Sequence, residues 1–484
     1  MNEVLRVNSR YLPENIGTGI VHIGLGAFHR AHQAVYLERW LNRLDDSDWG
    51  ICAANIRSNR ALVDSLKAQK YCYHVAEFKD SERVTLREVN AIRETLFSGE
   101  DKRSLIDKLV ASITRIVTLT VTEKAYYIVP AEQRLNLDDP AILHDIEYPH
   151  SPKTVPGILL EALRLRREQG VAPFTVLCCD NMPENGSRTK LAVTELASYQ
   201  SEDLADWIRS EVAFPNSMVD RIVPAMTDET RESLERDIGI DDPAAIVCEA
   251  FSQWVIEDNF PLGRPNWETV GVQMVADVRP FETMKLRMLN GSHSLLAYVG
   301  LLGGWQTVAE AIADPDMTML IRRYMHEEAA PTLTMPSGVV LATYGDELIT
   351  RFTNDSLQHQ LIQIAMDGSQ KLPQRWLQGA EAALAEGRSI PVTALGVAAW
   401  MHYVSGLGLN GTAHRVDDPL ATSFSQIYAQ HLEAEARVEA LLSMNEIFPA
   451  SLARLPRFRQ LVLDAYLALA RDGAASCMRN LVMS

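Results

Sequence analysis

Apolar positions fall into two regimes along this chain. Up to about residue 280 they form short, nearly unbroken blocks. Gly19-Ile-Val-His-Ile-Gly-Leu-Gly26 runs into a glycine turn, and Trp49 to Ile56, Arg115 to Thr122 and Phe174 to Cys179 repeat the pattern, the last ending at Asp180-Asn181. Blocks of this length read as strands buried on both faces. Ile246-Val-Cys248 and Gly271-Val-Gln-Met-Val275 are further candidates. Between the blocks the spacing becomes helical over Ala27 to Asn42, Ser58 to Gln69 and Ile158 to Gln169. Strands alternating with helices predict an α/β fold, a parallel sheet with helices on both faces. Beyond Pro280 only helical periodicity remains, over 281–302, 305–313, 316–328, 355–366, 378–386, 394–405, 420–443 and 458–472. The pattern predicts two domains, 1–279 with the parallel sheet and 280–484 mostly α-helical.

The length of 484 residues agrees with two cores rather than one. With 47% hydrophobic and 23% charged residues the composition is that of an ordinary globular protein. A formal charge of −17 argues against nucleic acid or an anionic membrane as partner. An anionic substrate would therefore be met by a local cation, not by the global field. Cysteines 52, 72, 178, 179, 248 and 477 form no C-x-x-C pair and no ligand cluster, which fits a reduced, cytoplasmic protein without structural metal. No apolar run reaches the length of a membrane span.

The glycine turn changes the picture first. Gly24 and Gly26 after a first strand open a dinucleotide fingerprint, in which glycines let the backbone approach a pyrophosphate at a helix N-terminus. The N-terminal domain is thus expected to be Rossmann-like. The third glycine is absent, His29 standing in its place, and two glycines at a strand end also serve plain turns. NAD enzymes usually carry an acid after the second strand. Here Asn55-Ile-Arg57-Ser-Asn59-Arg60 follows, so NAD is the expected cofactor while Arg57 or Arg60 keeps NADP open.

Lys285-Leu-Arg-Met-Leu-Asn290-Gly-Ser-His293 then sets an amine, a carboxamide and an imidazole in an otherwise apolar helix. At α-helical spacing the three share an arc of roughly 140°. Burying an ammonium is costly unless it is paired or deprotonated, which points to chemistry. A Lys that snorkels from a helix start is the structural alternative.

Lys, four residues, Asn, two residues, His resembles the signature of the polyol-specific long-chain dehydrogenases, the mannitol dehydrogenase family. The resemblance extends from the first strand to beyond residue 400. Asp48-Trp-Gly-Ile-Cys52, Gln253-Trp-Val-Ile-Glu-Asp-Asn-Phe260 and Gln363-Ile-Ala-Met-Asp-Gly-Ser-Gln-Lys-Leu-Pro-Gln-Arg375 are similar to its uronate-reducing branch. The resemblance implies an active site in a cleft between the two domains. It makes Lys285 the metal-independent general acid/base, with Asn290 and Asn181 holding the reacting oxygen. Glu123 is associated with proton movement, and His293 and Asp220 orient substrate hydroxyls or tune the lysine. Gly24-Leu-Gly-Ala27-Phe28-His-Arg30-Ala-His-Gln33 resembles the family's nucleotide signature.

Lys371 matches a substrate-binding lysine of the polyol members, while Gln363 stands where they have Arg. That departure favours a uronate, whose carboxylate needs a cation; Lys371 and Arg375 are the nearest, with Arg30 a remoter choice. Each residue also has a plain structural reading. Asp180-Asn181 fits a strand-terminating turn, Asp220 a salt bridge to Arg221, Glu123 a solvated strand end, and Lys371 and Arg375 ordinary surface cations.

The implied activity is reversible NAD-dependent reduction of D-fructuronate to D-mannonate in hexuronate breakdown, by a monomer acting on a small sugar acid. Tagaturonate reduction and mannitol or arabinitol oxidation remain as alternatives. A non-catalytic nucleotide sensor is a further one, against which the intact Lys285, Asn290 and His293 argue.

Overall fold

Five parallel strands, β1 (Ile20–Ile23), β2 (Ile51–Asn55), β3 (Ile92–Phe97), β4 (Ile116–Leu119) and β5 (Thr175–Cys178), form one sheet in the order β3-β2-β1-β4-β5. This is the order of a dinucleotide-binding half-fold, whose direction reverses between β1 and β4. The structure is a computed structural model that describes residues 3–99, 101–129 and 132–483. The chain divides into two units, Met1–Arg279 and Pro280–Ser484.

Strand alternation builds a core on each face of the sheet. Val21, Cys52, Val117 and Val176 are in register and pack with Leu105, Leu109, Ile158 and Leu196. Ile20, Ile51 and Ile116 point the other way, toward Val35, Leu41, Val63 and Leu66. Helices therefore cover both faces, as the unbroken apolar blocks predict. The helix expected over Ala27 to Asn42 is interrupted at His32 (φ −121°, ψ −84°) into Ala27–Ala31 and Gln33–Leu41. A second sheet joins Glu3–Val7, Arg83–Val89, Tyr73–Phe78 and Ile246–Glu249, and a third joins Ser217–Asp220, Gln253–Glu257 and Gln273–Val275.

The unit Pro280–Ser484 is helical. Gly291–Gly303 and Pro391–Tyr403 pack together and against Pro456–Met483, and their buried residues lie on every side, as expected of central helices. Three expectations are corrected. The helix over 355–366 shrinks to Leu361–Ile364, and the one over 420–443 breaks between Ala421–Gln430 and Ala434–Leu442. A helix Leu341–Phe352 lies where none is expected, burying Tyr344, Leu348 and Phe352 at helical spacing.

Candidate active site

A cleft of about 280 Å³ opens at the C-terminal ends of β1, β2 and β4. Gly24, Leu25 and Gly26 form one wall, Asn55 to Asn59 a second, and Thr120 to Thr122 a third. It lies at the point where the strand order reverses, the usual crevice for a dinucleotide. Gly24 has φ +106°, and a Cβ there would overlap the Thr120 carbonyl oxygen. At Gly26 a Cβ would meet nothing nearer than Gly24 O at 3.6 Å, so this position opens toward the cleft. Asn55 Nδ2 donates to Leu25 O at 3.0 Å, tying the second strand to the turn.

Histidines support the turn from beneath. Thr120 Oγ1 donates to Gly24 O at 2.9 Å and lies 3.1 Å from His22 Nε2, while Thr118 Oγ1 lies 2.8 Å from His22 Nδ1. One assignment satisfies all three: Thr118 donates to Nδ1, Nε2–H donates to Thr120, and Thr120 donates to Gly24 O. His29 stacks on His22 with ring centroids 3.3 Å apart. Burial pushes the His22 pKa down to about 3 and also lowers that of His29, so both stay neutral. His32 is likewise structural, its Nε2 2.9 Å from Gln253 O.

Arg30 is placed differently from a cofactor ligand. Its guanidinium donates to Gly26 O at 3.2 Å and to Ala244 O, and lies over the Tyr73 ring, so it braces the turn from the core side. Phe28 stacks on His32 with centroids 4.9 Å apart. Ala27 opens the first helical turn after Gly26, and Arg57 lines the cleft with its guanidinium on the Tyr127 hydroxyl.

Asp180, a residue passed over as a turn, organises the strand ends. It accepts from Val121 N (3.0 Å), Thr122 N (2.9 Å) and Tyr126 Oη (2.5 Å), while burial raises its pKa. Asn181 follows on the exposed side. Thr122 and Tyr127 have positive φ values of 74° and 55°, backbone strain of the kind that gathers at functional sites. Glu123 is exposed and pairs with Arg188 at 3.1 Å. Asp220 is buried at the end of Ser217–Asp220. Its neighbour Arg221 pairs with Glu77 at 2.7 Å.

In the second unit Lys285–Asn290 is a π-helical turn between Arg279–Met284 and Gly291–Gly303. Hydrogen bonds in a π turn run five residues back, so Asn290 lies closer in angle to Lys285 than the arc expected of an α-helix. Side chains bond to carbonyls within this turn and at the start of the helix after it. Gly291 N–H reaches back to Leu286 O, which leaves Arg287 O to the Tyr324 hydroxyl at 2.7 Å. Trp376 Nε1 donates to Gly291 O at 3.1 Å. Arg375 Nη1 donates to Asn290 O at 3.3 Å and to Ser294 Oγ at 2.9 Å. Tyr324 and Arg375 themselves stand on π turns, Tyr324–Ala329 and Pro373–Leu377. Gly291 is required here, since a Cβ would run into the Tyr324 hydroxyl.

Lys285 is 8% exposed, and the Asn290 amide makes no hydrogen bond among the described residues. His293 Nε2 is shut off from solvent without a hydrogen-bond partner among them, its ring 5.4 Å from that of His359. Burial, then His359, Arg351, Arg375 and Lys285 in turn, hold the His293 pKa well down. Burial and Arg375 push Lys371 down to about 8; its Nζ donates to Ile364 O at 3.3 Å and to Met366 O. Gln363 is exposed on Leu361–Ile364, whose last carbonyl Lys371 takes. The structure thus brings Lys285, Asn290, His293 and Arg375 together in one unit. Gly24, Gly26 and Arg57 share a cleft in the other. His22, Thr120, Tyr324 and Trp376 are supporting residues whose only sequence signal is polarity or bulk within an apolar run.

Among the described residues no group of His, Cys, Asp and Glu is placed to hold a metal ion, and no helix is long and apolar enough to cross a membrane. Residues 18–269 match the mannitol dehydrogenase Rossmann domain and residues 277–470 the mannitol dehydrogenase C-terminal domain. A D-mannonate oxidoreductase of Escherichia coli (strain K12) is 48% identical over 96% of this chain and 95% of its own. The solved Pseudomonas fluorescens mannitol 2-dehydrogenase, a ternary complex with NAD and D-mannitol, superposes with TM-score 0.83 at 37% identity, covering 100% of this chain and 97% of that one. A substrate-free D-sorbitol dehydrogenase gives 0.89 at 32%, covering 98% and 97%. The chain belongs to the mannitol dehydrogenase family of oxidoreductases.

Proposed function

We propose that this chain is an NAD-dependent oxidoreductase that reduces D-fructuronate to D-mannonate and catalyses the reverse oxidation. The unit Met1–Arg279 would hold the dinucleotide, and Pro280–Ser484 the catalytic and substrate groups. The observation that carries the reading is the buried Lys285 on a π turn that ends at Asn290, whose carbonyl accepts from Arg375. The cleft at the strand-order reversal, open at Gly26, fits a dinucleotide pyrophosphate. The likeness to a D-mannonate oxidoreductase and Gln363 in place of an arginine support the uronate over a plain polyol.

Bound NAD supplies or accepts the hydride. In the reducing direction Lys285 Nζ gives a proton to the substrate oxygen as negative charge grows on it, and takes that proton back in oxidation. The Asn290 amide donates a hydrogen bond to that oxygen, binding the alkoxide more strongly than the ketone. Lys371 keeps one ammonium hydrogen beyond its two backbone bonds for the substrate carboxylate, and Arg375 adds positive charge behind it.

The test is NADH oxidation by the purified protein with D-fructuronate, D-tagaturonate and D-fructose offered side by side. Fastest turnover on fructuronate supports the proposal. Preference for fructose would move the chain to the polyol branch and make Gln363 an uninformative departure.

A further inference from the structure

The second strand of a dinucleotide-binding sheet ends beside the adenosine ribose. A carboxylate there accepts the ribose 2′-hydroxyl in NAD-selective sites, and a cation takes the phosphate that replaces it in NADP. Here β2 ends at Asn55, and Ile56-Arg57-Ser58-Asn59 continue along the cleft. Among the described residues no Asp or Glu lines that cleft. Asn55 is spent on Leu25 O, and Asn59, at φ +61°, turns the chain into the helix Arg60–Ala68.

Arg57 is exposed and reaches across to the Tyr127 hydroxyl, a neutral partner that leaves its charge uncompensated. Behind it Lys102 Nζ is fixed by Gly99 O at 2.7 Å, Ile56 O at 3.4 Å and Ser98 O, which places a second cation where β2 and β3 end. Burial and then Arg57 lower the Lys102 pKa, the mark of two cations side by side. The acids facing the pair are Asp101 and Asp145. Asp101 accepts from Arg103 N at 2.8 Å. Asp145 is fully buried and accepts from Lys153 N, Thr154 N and Thr154 Oγ1 at 2.7, 2.9 and 2.6 Å. An adjoining cleft of about 810 Å³ shares Ile56 and Arg57, giving room for substituents on the adenosine side.

We propose that this site accepts a dinucleotide phosphorylated at the adenosine ribose 2′ position, with Arg57 pairing with the phosphate, so that NADP(H) binds alongside NAD(H). The proposal rests on the dinucleotide reading above and refines it.

Isothermal titration of the full-length protein with 2′,5′-ADP, 5′-AMP and NADH tests it without turnover. The expected result is 2′,5′-ADP binding about tenfold or more tightly than 5′-AMP. That advantage should shrink with added salt, and Arg57→Ser should bring the ratio close to one. Equal binding of the two nucleotides, with NADH bound, would overturn the phosphate proposal and leave the dinucleotide site standing. Failure to bind NADH would overturn both.

Discussion

Arg375 Nη1 lies 3.3 Å from the carbonyl oxygen of Asn290, and that bond joins two π turns. The same nitrogen reaches Ser294 Oγ at 2.9 Å, so one guanidinium spans the turn and the helix after it. Arg375→Leu removes both hydrogen bonds and leaves the Ser294 hydroxyl without that donor. Stability should fall by about 1.5–3 kcal/mol, the usual worth of hydrogen bonds to a charged group. Because Asn290 would lose its aim, kcat should fall more than KM rises. Urea unfolding and steady-state kinetics measure the two effects, and a stability loss with unchanged kcat would reduce Arg375 to a packing role.

Lys285→Ala should lower kcat/KM by about 10²–10⁴-fold, the range of general acid–base catalysis, while NADH binding persists. Fluorescence titration of NADH separates binding from chemistry. Turnover within tenfold of the parent would remove Lys285 from the proton step.

Gly24 and Gly26 should respond differently to the same small change. Gly24→Ala places a Cβ against the Thr120 carbonyl at φ +106° and should destabilise the fold by more than about 1 kcal/mol. Gly26→Ala meets open space and ordinary backbone angles, so the protein should fold normally and lose dinucleotide affinity alone. Thermal melts with and without NADH distinguish the outcomes, and equal destabilisation by both would contradict the assignment.

Acid should weaken the first unit through His22. Its pKa is about 3 in the fold and about 6.5 in an unfolded chain. Between these values the unfolded chain binds a proton that the fold refuses. Stability present above pH 6.5 is therefore lost as pH falls toward 3, at up to about 1.4 kcal/mol per unit for this group. His29 acts in the same direction. Urea midpoints from pH 7 to pH 5 should fall less steeply in His22→Asn than in the parent, and equal slopes would locate the acid sensitivity elsewhere.

Lys371, with a pKa near 8, should make uronate binding sensitive to alkali. Its charge is present below that value and lost above it. KM for fructuronate should rise about tenfold per pH unit beyond 8, while KM for uncharged fructose stays level. Lys371→Arg, which keeps the charge, should flatten the rise; parallel profiles for both substrates would free Lys371 from carboxylate recognition.

The strands around the cleft are legible because they are buried on both faces, so Ile20–Ile23, Ile51–Asn55, Ile116–Leu119 and Thr175–Cys178 read as apolar blocks. β3 escapes that reading because, at the sheet edge, Arg93 and Glu94 are only partly buried. Leu341–Phe352 is obscured by Gly345, a poor helix former at its centre. Lys285, Asn290 and His293 are legible as residue types, but their π geometry is not. Tyr324 arrives from a distant segment to take the Arg287 carbonyl that the turn bypasses. Arg375 and Trp376 bond to the carbonyls of Asn290 at its end and Gly291 just after it. Asp180 reads locally as a turn residue, and only the approach of Val121, Thr122 and Tyr126 shows what it holds.

The π turn at Lys285–Asn290 is, in effect, one surplus residue inserted into a helix. It decouples the phase of the helix before it from that of Gly291–Gly303, so aim is set there by chain length as well as by side-chain identity. Deleting a single residue between Lys285 and Asn290 would re-phase Lys285 by about 100° against everything downstream. Every substitution in this stretch is a change of spelling; a deletion is a change of gear.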